Sequence, residues 1–416
     1  MTEAQSKGSL FVIFLTVFID LLGFGMVLPL LPLYAKQFSV DESGITIGLL
    51  MASFSAMTFL FAPLWGRLSD RIGRRPTLML GLGGSVIFYS LFAVASHVQS
   101  LALLFVSRIG AGIMGATIPV AQAYIADTTS REKRAKGMAL IGAAFGMGFT
   151  FGPLLGFFAA PTGKGDPGPG PGYAAAALSL AALLLAWFKL PESLRRGGQP
   201  AQHKLFDTTA WRTALATPSV GPLLLTLFVC IFGFANFEST LSPLVFGGKG
   251  LESRFGFDYQ RVMLMYAYIG LTLTLAQGLL VRRLADRLPE SAMAAGGAVL
   301  EAIGFALMLV AVQQSDSTVL FAALTVVVIG FAFMQPSLNA LISRRSNPAA
   351  QGSILGVAQS VSSLARIAGP LVAFPLLYRD VRLPYISAMC LMALGVALVV
   401  YAAPRGRDYH AAGSQE

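Results

Sequence analysis

Gly66-Arg67-Leu68-Ser69-Asp70-Arg71-Ile72-Gly73-Arg74-Arg75 is a charged stretch set between two long apolar runs. Residues 45–65 before it and 76–96 after it carry no formal charge. Each run is about 20 residues, enough for a helix to cross a ~30 Å hydrocarbon layer. The charged stretch therefore lies at a membrane surface. Its four arginines put that surface on the cytoplasmic side, where positive loops are retained. The glycines permit a tight reversal, and Asp70 can accept bonds from nearby arginines or from a free helix N-terminus. A basic loop that only held topology would need neither.

Composition extends this reading to the whole chain. Of 416 residues, 55% are hydrophobic and 12% charged, against about 25% charged in ordinary soluble proteins. Mean hydropathy is +0.69. Apolar runs recur along the full length, without the strict alternation of a membrane barrel. The fold class is thus an all-α polytopic membrane protein. The net charge of +10 is explained by loop arginines that obey the orientation rule, and nucleic acid is not expected as a partner. Cys230 and Cys390 lie inside apolar runs and read as small buried hydrophobes. His97, His203 and His410 have no metal-ligand spacing. The segment containing Lys7 and Asp20 fits a first spanning helix better than a cleaved signal.

Run lengths and breakers predict twelve spans, near residues 10–34, 45–65, 77–96, 101–126, 137–159, 173–190, 219–245, 261–281, 292–312, 318–342, 352–377 and 384–403. Loops on the Met1 side hold 21 of the 30 basic residues and opposite loops hold 7, with Arg108 and Arg366 inside spans. That excess predicts both termini in the cytoplasm. Pro161 to Gly172 is a Pro/Gly-rich outer loop expected to be non-helical, and extended or mobile. Pro191 to Pro218 is the longest polar stretch, with a short interfacial helix expected over Leu205–Ala216. The expected domains are a six-helix bundle at 1–190, a cytoplasmic linker at 191–218, a second bundle at 219–403, and a cytoplasmic tail at 404–416.

The two halves repeat. Pro119 and Pro336 are 217 residues apart, as are Gly152-Pro153 and Gly369-Pro370. Leu68-Ser69-Asp70-Arg71 returns as Leu284-Ala285-Asp286-Arg287 at an offset of 216. Six spans per repeat give both halves one orientation, the parallel two-bundle plan of a secondary transporter with its site near mid-membrane.

Ionisable residues inside spans point to function, because each costs at least about 2.5–3.5 kcal/mol at mid-bilayer. Asp20, Arg108, Glu301 and Arg366 lie well inside. At 1.5 Å per residue, Asp20 is roughly 15 Å, Arg108 roughly 20 Å, Glu301 roughly 14 Å and Arg366 roughly 21 Å from the cytoplasmic face. The first two depths allow a direct or water-bridged pair. Asp20 then reads either as a carboxylate whose protonation follows the gate, or as half of a permanent ion pair. Arg366 reads as a counter-charge to Glu301 or as a contact for an anionic substrate. Glu238 is nearer the outer surface, at a cavity mouth or in the interface. Gln122 and Asn339 each follow a proline by three residues. In both halves this suggests a bent cavity-lining helix, or else interhelical hydrogen bonds. Abundant Phe, Tyr and Met would suit a cavity for apolar compounds.

The chain resembles the major facilitator superfamily over essentially its whole length, in the drug:proton antiporter branch that includes the tetracycline-resistance exporters. Gly66 to Arg75 matches the family's G-x-L-x-D-R-x-G-R-R loop. Ser107 to Gly112 resembles its span-four arginine motif. Gly148-x-x-x-Gly152-Pro153-x-x-Gly156 resembles its antiporter motif, and Asp20 to Pro32 its span-one motif. The resemblance implies twelve helices in two pseudo-symmetric six-helix bundles. It implies a cytoplasmic gate at Gly66, Asp70, Arg71, Gly73, Arg74 and Arg75, and proton coupling through Asp20, Arg108 and Glu301, the last at an acidic position of span nine. Gly148, Gly152, Pro153 and Gly156 would form a kinked, closely packed helix. The second-half gate loop is degenerate, with Arg282 in the place of Gly66. Residues 270–277 lack the histidine of the tetracycline exporters, so tetracycline is not expected as the substrate.

The sequence therefore reads as a proton-driven antiporter of a cytoplasmic membrane that exports small, largely apolar compounds, as a monomer and without cofactor or metal. Gln122, Glu238, Asn339 and Arg366 are its candidate cavity residues. The alternative is a sugar or organic-acid permease on the same scaffold. A transport-dead receptor would need soluble extensions. No constellation for an enzyme appears on any span.

Overall fold

The computed structural model describes residues 3–38, 43–129, 134–166, 168–194, 211–212, 214–215, 220–247, 255–346 and 351–403. The expected tail and most of the expected linker, with most of its interfacial helix, lie outside the described residues. No strand occurs among them. The helices are α1 (Glu3–Val27), α2 (Leu31–Phe38), α3 (Ile45–Ile72), α4 (Arg74–His97), α5 (Leu101–Met114), α6 (Ile118–Thr128) and α7 (Arg134–Ala159). They continue as α8 (Gly170–Lys189), α9 (Gly221–Phe246), α10 (Tyr259–Leu275), α11 (Glu290–Gln314), α12 (Ser317–Arg344), α13 (Gln351–Arg379) and α14 (Leu383–Ala402). They make twelve stretches long and apolar enough to cross a membrane, and every expected span has one.

Two spans are broken. The first turns at residues 28–30 between α1 and α2, around Pro29, which donates no backbone bond. The fourth loosens at residues 115–117, and Pro119 then sits in the first turn of α6, where its missing N–H costs nothing. At Pro336, by contrast, α12 runs on without a break, so this proline lies in a helix interior, the position at which proline kinks a helix. A π-helical segment, Ala276–Val281, extends α10 before Arg282–Leu284.

The chain forms two compact units. The first comprises residues 1–42, 49–205 and 242–271. Its core gathers Ile13, Val17, Leu78, Leu82, Tyr124 and Ala182 from α1, α4, α6 and α8. Its helices meet at small residues, as lipid-embedded helices do, because packing rather than a hydrophobic driving force holds them. The ring of Phe88 covers Gly110, and a Cβ on Gly172 would lie 2.7 Å from the Ala93 nitrogen. The Pro/Gly-rich loop before α8 is tied down rather than loose. Lys164 Nζ donates to the Phe246 carbonyl at 2.8 Å, and Tyr34 Oη to the Gly168 carbonyl at 2.9 Å. Its last residues are also helical: α8 starts at Gly170, since Pro171 falls in the first turn.

The second unit comprises residues 43–48, 206–241 and 272–416. Here α11 and α12 approach backbone to backbone: a Cβ on Gly297 would lie 2.6 Å from the Gly330 carbonyl oxygen. Phe234 stacks on Phe331 at 3.8 Å, and Phe237 contacts Phe305 and Tyr385. Cys230 is buried as expected, whereas Cys390 is exposed on α14. In a bilayer, exposed positions of a span are as apolar as core ones, so hydropathy does not separate the two.

The charged stretch also differs from its expected form. α3 continues through Gly66 to Ile72, and a Cβ on Gly66 would meet nothing within 4 Å. Gly73 alone makes the reversal, at φ 110°, where an added Cβ would also strike the Glu192 carboxylate. That backbone region is essentially reserved for glycine and costs other residues about 1–3 kcal/mol. Gly73→Ala is therefore expected to lower the unfolding temperature of the purified protein. Gly66→Ala is expected to leave it unchanged or slightly raised, since alanine favours a helix interior.

Candidate functional site

The network around the charged stretch is built on Arg74 in the first turn of α4. Arg74 Nη1 lies 2.6 Å from Asp70 Oδ1, and its Nε 3.1 Å from Asp127 Oδ2 at the end of α6. Nη1 also donates to Ser69 Oγ at 2.5 Å. The Arg74 side chain is only 10% exposed, so its charge is held by fixed partners rather than water. Glu192, just past α8, closes the other side by accepting the backbone N–H groups of Arg74 and Arg75 at 2.9 and 3.2 Å. An acidic side chain there satisfies free donors and complements the positive end of the helix dipole. Arg75 donates to the Trp187 carbonyl at 2.5 Å, and Arg71 is exposed. Of the expected gate residues, Asp70, Gly73, Arg74 and Arg75 thus come together, Gly66 is tied in through its carbonyl, which accepts from Ser69 Oγ at 2.7 Å, and Arg71 is exposed.

The second half carries the counterpart with its charges exchanged. Glu290 and Arg344 stand 216 and 217 residues beyond Arg74 and Asp127. Arg344 Nη1 lies 2.6 Å from Glu290 Oε1. With side chains 53% and 26% exposed, this pair is the wetter of the two. Asp286, the sequence counterpart of Asp70, is exposed.

The glycines of α7 face α1. A Cβ on Gly148 would lie 2.7 Å from Leu21 Cβ, and one on Gly152 2.7 Å from the Leu22 carbonyl oxygen. Gly156 faces the side chains of Met26 and Met263. Pro153 lies inside the same helix. The motif is thus a seam of close backbone approach.

Within the spans, each charge has its own surroundings. Asp20 is half-buried on a small recess lined by Thr16, Val17, Leu78, Leu82, Thr117, Ile118 and Ala121. Ser179 Oγ donates to its Oδ1 at 3.2 Å, and the Ser85 hydroxyl is a second hydrogen-bonding neighbour. Arg108 is 2% exposed, its guanidinium over the Phe54 ring at 4.6 Å and its Nε without a partner among the described residues. No ion pair joins Asp20 to Arg108 among the described residues. Equal depth was the ground for expecting one, but a helix turns its side chains through a full circle every 3.6 residues. Tyr89 instead stands within electrostatic range of both.

Glu301 is fully buried in α11, and neither carboxyl oxygen has a hydrogen-bond partner among the described residues. Gly330 presses on it from α12, where a Cβ would lie 2.8 Å from Glu301 Cγ. Cys230 of α9 is within electrostatic range. Arg366 does not balance Glu301; its Nη1 lies 3.2 Å from Glu238 Oε2. Gln122 is exposed and Asn339 half-buried.

Sequence reasoning missed Ser85, Ser179, Asp127, Glu192, Glu290 and Arg344. Glu192 left a signal as an acidic residue beside Pro191, and Glu290 and Arg344 left one in their offsets of 216 and 217 from Arg74 and Asp127.

Comparisons with known proteins agree with this architecture. The Major Facilitator Superfamily profile matches residues 13–370. The class E tetracycline resistance protein of Escherichia coli is 34% identical over 387 residues, 92% of this chain and 91% of that protein. Human major facilitator superfamily domain-containing protein 10 is 31% identical over 409 residues, 87% of this chain and 86% of its own length. The crystal structure of that human protein, an organic anion transporter, superimposes with a TM-score of 0.71 at 27% identity, covering 96% of this chain and all of the other. The family and fold are those of membrane transporters and not of enzymes, and this chain belongs to the major facilitator superfamily.

Proposed function

We propose that the chain is a proton-driven antiporter of a cytoplasmic membrane that exports small, drug-like compounds by alternating access between two six-span halves. The observation that carries this reading is Glu301. A carboxyl group fully enclosed in a spanning helix, with no partner for either oxygen among the described residues, is stable there only with its proton. Such a group is a proton carrier when another state of the protein opens it to water. Asp20 offers the complementary setting, with hydroxyl partners and a recess for water. Arg108, enclosed over Phe54 with no ion pair among the described residues, serves as the positive charge that releases its proton when the protein changes state.

Relatives named for tetracycline resistance, multidrug resistance and organic anion transport support a drug-type substrate. Gln122, Asn339, Glu238 and Arg366 line its cavity in this reading. The network of Asp70, Arg74 and Asp127 latches the cytoplasmic side, with both termini on that side and a monomer as the working unit.

Reconstituted into proteoliposomes under a proton gradient, the protein is expected to release lumenal protons as substrate moves against its gradient. Asp20→Asn is expected to abolish that release while the protein stays folded. Substrate-dependent proton uptake would identify the permease-type symporter instead. Full gradient-driven efflux by Asp20→Asn would remove Asp20 from the mechanism.

A further inference from the structure

Two membrane arginines in this chain hold carboxylates in quite different ways. Arg74, at the membrane surface, is 10% exposed and grips Asp70 at 2.6 Å, with Asp127 and Ser69 as further partners. That is how an arginine is satisfied for structural purposes. Arg366 lies in the middle of α13, where a charge is costlier, and it is held far less well. Its one hydrogen bond among the described residues is to Glu238, at 3.2 Å through a single nitrogen. This is longer than the roughly 2.7–2.9 Å of a strong charge-assisted bond. The side chains of Arg366 and Glu238 are 38% and 27% exposed.

The backbone around the pair explains why it stays open. α9 and α13 touch at Ala235 and Gly369, where a Cβ on the glycine would lie 2.5 Å from the alanine side chain. Glu238 and Arg366 each stand three residues from that contact. The helices are pinned there, and the long side chains reach toward each other beside the pin rather than between packed surfaces. One helical turn from Glu238, Phe234 stacks on Phe331, so aromatic surface adjoins the charges. A guanidinium offers five donors in a planar fork suited to a two-oxygen anion, and the internal carboxylate engages one.

We propose that Arg366 anchors a carboxylate or sulfonate group on an otherwise apolar substrate, and that Glu238 holds the guanidinium until that group displaces it. The substrate class is then the amphipathic organic anion. This rests on the transporter reading above and adds the chemistry of the cavity to it. Glu238 is a competitor for the arginine and not a ligand of the substrate.

The test is binding to protein in lipid nanodiscs, by calorimetry, with empty discs subtracted. The probes are arylsulfonates of one to three rings, each beside its neutral sulfonamide. In the natural protein at least one sulfonate is expected to bind about ten-fold tighter than its sulfonamide, the worth of a charged hydrogen bond. Arg366→Gln should collapse that ratio toward unity and Arg366→Lys should restore part of it. Glu238→Gln should tighten sulfonate binding several-fold by removing the internal competitor. The proposal is overturned if no sulfonate is preferred, or if Glu238→Gln weakens sulfonate binding as much as Arg366→Gln does, which marks a purely structural pair. Proton-gradient-driven efflux of a sulfonamide by the natural protein tests the transporter reading separately, so failure of one leaves the other standing.

Discussion

Glu301→Gln is expected to reduce proton-driven uphill efflux about a hundred-fold or more, in line with the loss of a proton-transferring group. Exchange of substrate for substrate across the same membrane should survive, because it moves no net proton. Glutamine has nearly the shape of the protonated acid, so the packing of α11 against Gly330 is kept. It cannot give up a proton, so any step that needs this group charged is blocked. Stability supplies a second, independent reading. Both carboxyl oxygens are buried without a partner, so the group contributes nothing favourable to the fold where it stands. Glu301→Leu is accordingly expected to raise the unfolding temperature while also abolishing coupling, since apolar replacement of a buried polar group is often stabilising. A structural carboxyl would behave the other way, losing stability with either substitution and keeping uphill transport in whatever protein remained folded. Full uphill efflux by Glu301→Gln would leave Asp20 as the sole carrier.

The sequence made one part of this molecule legible and hid another, and physics draws the line between them. Spans were readable because hydrocarbon demands long uncharged helices, so each run from residues 45–65 to 384–403 announced itself by length. Charges inside those runs were readable for the same reason. Their partners were not. Asp20 and Arg108 lie at similar depth, yet Ser179 and Ser85 meet the aspartate, because depth along a helix says nothing about the direction of a side chain. Arg366 stood at a depth fit for Glu301 and pairs with Glu238 of another helix. Glycine shows the same limit. Gly66 and Gly73 look equivalent in the charged stretch, but only Gly73 has a backbone that requires glycine, and φ is set by where α4 must start. The pair Glu290–Arg344 is invisible to a repeat read as residue identity, because its two charges are exchanged. A salt bridge keeps its function when both of its charges are reversed.

Gly152→Leu is expected to have the largest effect on the assembled protein of any substitution in α7, and the neighbouring glycines grade the prediction. At Gly152 an added Cβ would lie 2.7 Å from the Leu22 carbonyl oxygen and 3.0 Å from Gly25 Cα. All of these are backbone atoms of α1, which no rotamer change can move. Gly25 is equally confined in the other direction, since its Cβ would lie 2.7 Å from the Gly148 carbonyl oxygen. The two helices therefore have to separate along the seam. Overpacking of this kind costs about 1–3 kcal/mol or more. At Gly156 the nearest atoms are the sulfur of Met263 and Cγ of Met26, at 2.9 and 3.0 Å, and flexible side chains can yield. At Gly142 an added Cβ would meet no described atom within 4 Å beyond its own stretch of helix. Thermal unfolding of the purified protein should thus drop sharply for Gly152→Leu, modestly for Gly156→Ala, and not at all for Gly142→Ala. The alanine at 142 should even gain a little from helix propensity, up to about 1 kcal/mol. Transport should follow the same order, because a seam built backbone to backbone fixes the register of α7 on α1, the helix that carries Asp20. A gain at Gly152→Leu like the one at Gly142→Ala would mean that helix propensity, rather than close approach, decides the effect at this seam.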